Sequence, residues 1–277
     1  MADRRLSSAR RAWRRSSWWS QTGRWRRRTG GTVIPLCKAY YATGQAVSTD
    51  PTASERTDDA SRHDEGDRRA GYRAAILAAA ESAFAERGYD ATKVQDLARE
   101  AGVSLTTLYG VFPGKWEIFC AVQELRLGEL LRTVLEAGPI PSDPLARLCF
   151  GIERYLRFHM DHPNFLRLEL REGVPWGTTD ELRTPPQTRA WKTGLAMMTQ
   201  AFRDGMASGL FEEDDPEICA RTTTAMSQVR LALWHRAGGV PEPDVVVHRT
   251  LGQLVRTFVR GDQVGAKLAW LAERLGM

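Results

Sequence analysis

Residues Thr92 to Phe119 constrain the chain more than any other stretch, because two short helices are made to meet at a glycine. Thr92 and Gln95 stand at the Thr-x-x-Gln spacing of a capping box, so a helix is expected to start there. Val94, Leu97, Ala98 and Ala101 then recur at helical spacing. Gly102 follows, where a helix can stop by entering the left-handed conformation that glycine adopts cheaply. Ser104 is placed to cap the next helix. That helix is short and carries Thr106, Thr107 and Tyr109 around one inward position, Leu108. Ala98 is small where the two helices must cross closely.

The spacing predicts a helix-turn-helix, whose second helix enters the DNA major groove. The plainer alternative is an αα-hairpin inside a helical domain. A longer context decides between them. Ile76, Ala80, Phe84 and Gly88-Tyr89 precede the motif. Ala91-Thr92, Asp96-Leu97-Ala98, Ala101-Gly102-Val103-Ser104, Leu108-Tyr109 and Phe112-Pro113 with Lys115 continue it. Over Tyr72 to Phe119 this pattern resembles the DNA-binding domain of the tetracycline-repressor-like (TetR) family of bacterial regulators. The sequence departs from that pattern at Lys93, Gly110 and Val111.

Net charge does not make the case for DNA. The chain carries +5, yet residues 1–46 hold ten arginines and one lysine against one acid, Asp3. That leader accounts for +10, and the other 231 residues carry −5. Trp13, Trp18, Trp19 and Trp25 lie among its arginines, with no apolar core of a secretory signal. Three readings stay open for it: an arm with arginines on phosphates and tryptophans on bases, a membrane-surface tether, or upstream sequence that is not translated. The third is favoured by the abrupt change in composition at Val47. Residues 47–70 are polar and charged, so 1–69 is expected to lack fixed structure.

The rest of the chain reads as helices. A first helix is expected from about Gly71 to Arg87, and a long one from Lys115 to about Glu136. Another runs from Pro144 to Met160. Leu166, Leu168 and Leu170 alternate as in a strand, but with no partner strand in sight the segment reads as helix. Residues 173–188 read as a loop. Trp191, Leu195, Met198, Phe202 and Met206 mark an amphipathic helix. Asp215 to Arg236, Asp244 to Arg260 and a last segment after Asp262 complete the set. The fold class is therefore all-α: a three-helix helix-turn-helix DNA-binding domain over 70–130, with the motif at 93–112, followed by a helical ligand-binding and dimerisation domain over 131–277.

No catalytic constellation, nucleotide loop or two-cysteine zinc pattern appears, and the i, i+3 pair His159 and His162 is a spacing common by chance at a helix end, so no enzyme activity, cofactor or metal is expected. Cys37, Cys120, Cys149 and Cys219 form no ligand pair and read as a reducing, cytoplasmic setting. No apolar run reaches the roughly 18 residues of a membrane span. His159 is a polar group on an otherwise apolar face, either a bonded core histidine or a pocket wall. Trp176, Trp191, Met197, Met198, Met226 and Trp234 are either plain core or the lining of an effector pocket.

The resemblance implies the rest. Similar proteins are homodimers on a near-palindromic double-stranded operator, released by a small, often apolar effector. The dimer face would be 215–236 and 244–260. Thr92, Ser104 and Lys115 would hold phosphates, with Lys93 adding a contact. Leu105, Thr106, Thr107 and Tyr109 would face the DNA, the threonines toward base edges or thymine methyls. The expected function is a DNA-binding transcriptional regulator, a repressor released by its effector. The rivals are an effector-independent DNA-binding protein and an enzyme using the helical body as a substrate site.

Overall fold

Five of the helices open on a proline at the first turn, where a missing N–H costs nothing and the fixed φ favours the helix. In a computed structural model, which describes residues 53–277 apart from 137, 139, 174–176, 180, 181 and 277, these are α5 (Pro144–Asp161), α6 (Pro163–Glu172), α7 (Pro185–Ala207), α8 (Pro216–Arg236) and α9 (Pro243–Phe258). They follow α1 (Ala53–Arg87), α2 (Val94–Glu100), α3 (Leu105–Val111) and α4 (Lys115–Leu135), and α10 (Val264–Arg274) closes the chain. Side-chain caps fix several starts. Asp143 accepts from Ala146 N–H, Asp215 accepts from Glu217 and Ile218, and Thr184 with Gln187 forms a full capping box.

Two expectations are corrected. The first concerns residues 47–70, which are helical from Ala53 onward as the start of α1. Alanine, arginine and glutamate are good helix formers, and a helix anchored at its far end extends without needing apolar residues of its own. The arginine- and tryptophan-rich residues 1–46 lie outside the described residues. The second correction is the Thr92–Gln95 capping box. The helix N-cap is Lys93, which makes no side-chain cap, and Thr92 turns its hydroxyl the other way.

Two apolar clusters organise residues 53–277, which form one unit. The first joins Ile76, Ala80 and Phe84 of α1 with Leu97, Leu108, Phe112, Ile118 and Phe119. It takes in Phe158 of α5 and Phe165 and Leu168 of α6 as well. The second gathers α5, α7, α8, α9 and α10 around Leu148, Ile152, Phe202, Phe211, Leu251 and Val255. Gly205 allows the closest approach in it, since a Cβ there would stand 2.2 Å from the Phe211 ring. Two leucines of α6 divide between the clusters, Leu166 in the second and Leu168 in the first, while Leu170 is exposed. The stretch that alternates like a strand is thus a helix buried on two sides.

Candidate functional site

The turn between α2 and α3 has a stated cause. Gly102 sits at φ +67°, and Val103 N–H reaches Ala98 O while Gly102 N–H reaches Arg99 O. These are the two crossed bonds of a Schellman ending, which satisfy carbonyls that the helix end would leave orphaned. Ser104 then caps α3 by accepting from Thr107 N–H at 2.9 Å. Leu108, fully buried, fixes α3 to the head. The opposite face is left to solvent. Leu105 is 38% exposed and Tyr109 49% exposed, with Thr106 beside them. The Thr107 hydroxyl lies 2.8 Å from Ser104 Oγ, so those two side chains are partly committed to each other.

Two expected phosphate ligands are placed differently. Thr92 is buried and its hydroxyl donates to Gly88 O at 2.7 Å. Lys115 directs its ammonium at the carbonyls of Tyr89 (2.8 Å), Thr92 (3.0 Å) and Asp90 (3.4 Å), over the Tyr89 ring. Both side chains hold the turn after α1 together, and their donors are spent there. Lys93 and Ser104 remain exposed.

Other cations flank α3. Arg69 donates to Gly110 O at 3.0 Å, and the Arg73 guanidinium lies over the Phe112 ring. Both are exposed, as is Tyr72. The paired bases at the start of the first helical stripe were the available signal, hidden by the polar character of residues 47–70. The acids of α2 are neutralised, Glu100 by Arg87 at 2.9 Å and Asp96 by Arg99 at 2.8 Å. The face around α3 therefore presents hydroxyls, the phenols of Tyr109 and Tyr72 and the bases Lys93, Arg69 and Arg73, the donor set that suits phosphates and base edges.

Tyr89 joins this head to α6. Its N–H donates to Glu172, and Glu172 is ion-paired with Arg183, whose guanidinium also lies over the Tyr89 ring. Phe84, Trp116 and Phe119 pack around it. Burial pushes the Tyr89 hydroxyl above the ordinary phenol range, with Arg183 opposing.

A cavity of about 160 Å³ lies inside the body between α4, α5, α7 and α8. Leu130, Val134, Phe150, Trp191 and Met198 supply apolar wall, and His159 and Glu169 supply its polar end. Of the seven residues weighed for a pocket, His159, Trp191, Met197 and Met198 line it. Met226 and Trp234 instead pack against the body core, the Trp234 indole donating to Pro241 O. Trp176 lies outside the described residues. Glu169, Tyr155 and the α4 leucines were missed. The signal for Glu169 is that it shares the apolar face of Phe165 and Leu166, where an acid is costly unless bonded. Burial, and then the Glu169 charge, pushes the Tyr155 phenol up, with a bond to Gln228 opposing.

Taken together, a three-helix head with an exposed, base-flanked second motif helix defines a helix-turn-helix DNA-binding protein. Residues 76–122 match the family described as bacterial regulatory proteins, tetR family. The HTH-type transcriptional regulator RutR of Escherichia coli O157:H7 is 33% identical over 180 residues, 64% of this chain and 79% of that protein. The HTH-type transcriptional repressor SCO4008 of Streptomyces coelicolor is 28% identical over 144 residues, covering 52% and 69%. A crystal structure of AibR with isovaleryl coenzyme A and operator DNA superposes with a TM-score of 0.56 at 19% identity, covering 66% of this chain and 97% of that one. The chain belongs to the tetR family, and it is a DNA-binding transcriptional regulator.

Proposed function

We propose that the head, over residues 70–130, binds a near-palindromic operator as half of a homodimer, and that a small molecule in the 160 Å³ cavity releases it. The observation that carries the first part is α3: one buried leucine, Leu108, with Leu105, Thr106 and Tyr109 turned outward. Lys93, Ser104, Arg69 and Arg73 flank it as phosphate contacts. The relative named a repressor supports that direction of control. AibR, which shares the fold, is described in complex with isovaleryl coenzyme A and operator DNA, and this supports a ligand-responsive reading.

The dimer face is argued from α8. Ile218, Val229 and Leu233 are 56%, 58% and 50% exposed, and their spacing puts them on one side of the helix. A stripe of that kind needs a cover, and 215–236 with 244–260 of a second copy supplies one. Two heads would then reach half-sites about one helical turn, roughly 34–36 Å, apart. Among the described residues no helix is long and apolar enough to cross a membrane.

Fluorescence anisotropy of the full chain on DNA flanking its own gene, over a salt series, tests this. Selective binding that weakens steeply with salt is expected. Tyr109→Ala should abolish selective binding while sedimentation still shows a dimer. Selective binding retained by Tyr109→Ala would remove α3 from its role. Binding that no small apolar molecule weakens would favour a regulator without an effector.

A further inference from the structure

Resting on the reading of the cavity as the effector site, we propose that it selects a small, neutral, apolar molecule bearing a hydroxyl, a phenol or compact alcohol, which donates its hydrogen bond to Glu169 Oε1.

Glu169 is only 6% exposed. Its Oε2 lies 2.9 Å from His159 Nε2, whereas its Oε1 is buried with no partner. The His159 ring is held between Tyr155 and Phe165, with Nδ1 2.8 Å from Tyr155 O. A carbonyl only accepts, so Nδ1 carries a proton and donates it. The remaining contact, Nε2 to Oε2, shares one proton. With that proton on the imidazole, Glu169 is a carboxylate and Oε1 accepts. With it on Oε2, Oε1 is the carbonyl oxygen of an acid and again accepts. Either way the polar end of the cavity offers an acceptor and asks for a donor.

The hydroxyl and indole donors of the lining are used elsewhere, and Arg147, which keeps its Nε without a partner, has its guanidinium ion-paired with Asp204. Thr223, Thr224 and Ser227 line the cavity, but each hydroxyl donates to the carbonyl four residues back on α8, at 2.9, 3.2 and 2.9 Å. The Trp191 indole donates to Thr179 O. A buried acceptor left unpaired is costly, so a ligand that supplies the missing proton gains over one that does not. An ammonium brings three donors to a site with one strong acceptor and apolar walls, so a neutral hydroxyl fits better. Size follows from volume: a dry apolar cavity of about 150 Å³ accommodates a benzene ring, close to the 160 Å³ found here.

The test is calorimetric titration of the full-length protein with p-cresol and with toluene, which share a ring and a methyl but differ in the donor. p-Cresol should bind roughly ten- to hundred-fold more tightly. Glu169→Leu should erase that preference while still binding toluene. Gly194→Phe, at a cavity-lining position whose Cβ meets nothing, should lose both ligands and so locate them. Should Glu169→Leu fail to fold, the wild-type ratio and the Gly194→Phe result decide. Equal affinity for the two, or no binding of either, overturns the proposal. Selective p-cresol binding that leaves operator anisotropy unchanged upholds the hydroxyl site and rejects the cavity as an effector switch.

Discussion

The head and the body fill their interiors differently. Around Leu108 the head closes completely: Phe84, Leu97, Phe112, Ile118 and Phe119 are all at or below 5% exposure, and the Phe84 and Phe119 rings meet edge-on. The body packs as tightly at Gly205 and Phe211, yet keeps about 160 Å³ empty beside Trp191 and His159. Protein interiors are ordinarily close-packed, and a void forgoes dispersion contacts. The difference assigns the parts: a rigid reader needs one conformation, whereas a receptor needs space that something else completes. Helix α4 belongs to both, with Ile118 and Phe119 in the head and Leu130, Leu131 and Val134 on the cavity. Helix α6 is shared likewise, carrying Glu169 at the cavity and Glu172 under Tyr89.

The comparison breaks most readily at Leu108. Leu108→Ala removes a fully buried side chain from a closed core, so a loss of about 2–5 kcal/mol is expected. Operator binding should vanish while calorimetric ligand binding by the body persists. Denaturant melts of the head, followed through Trp116, would show the loss. An unchanged midpoint would mean that the head is not closed as described.

Gly205→Ala comes next and probes the tight side of the body. The added methyl meets the Phe211 ring at 2.2 Å, an overpacking expected to cost about 1–3 kcal/mol. Gly194→Ala, inside α7 with a Cβ that meets nothing, should instead raise the thermal midpoint, by about 0.5–1 kcal/mol of helix propensity. Equal losses at the two glycines would contradict the uneven packing.

How much of this was legible in the sequence differs between the regions for the same reason. A closed head is specified by spacing, and Leu97, Gly102 and Leu108 announce it without a structure. What spacing does not show is where a proton goes. Thr92 and Lys115 have the right chemistry for phosphate, yet both spend their donors on carbonyls of the turn after α1. In the body, the stripe of Trp191, Met198 and Phe202 looks the same in sequence, although the first two line the cavity and Phe202 is in the core. The void depends on how four helices meet, and no single helix records that. Residues 53–70 carry no apolar stripe to announce a helix, although a helix needs only propensity and one anchored end.

A smaller effect is expected at Arg69. Its bond to Gly110 O is exposed, so Arg69→Ala should leave folding unchanged. As a phosphate contact it should weaken binding several-fold across all sequences and lower the magnitude of the salt slope by about 1. A change confined to one operator sequence would instead make it a base reader.

Gly110 carries the smallest expected change and the sharpest reading. It lies within α3, exposed, and an added Cβ meets nothing within 4 Å. Glycine inside a helix costs about 0.5–1 kcal/mol relative to alanine through chain entropy. Gly110→Ala should therefore stabilise the head by about that amount, read as a raised midpoint. Packing within the protein gives no reason for glycine here, because its carbonyl accepts from Arg69 whatever the side chain. Its consequence for DNA then separates two cases. If operator affinity holds or rises with stability, the position is only a weak point in the reading helix. If stability rises and affinity falls, the missing side chain is what lets the α3 backbone approach the DNA, and the head has given up stability for contact.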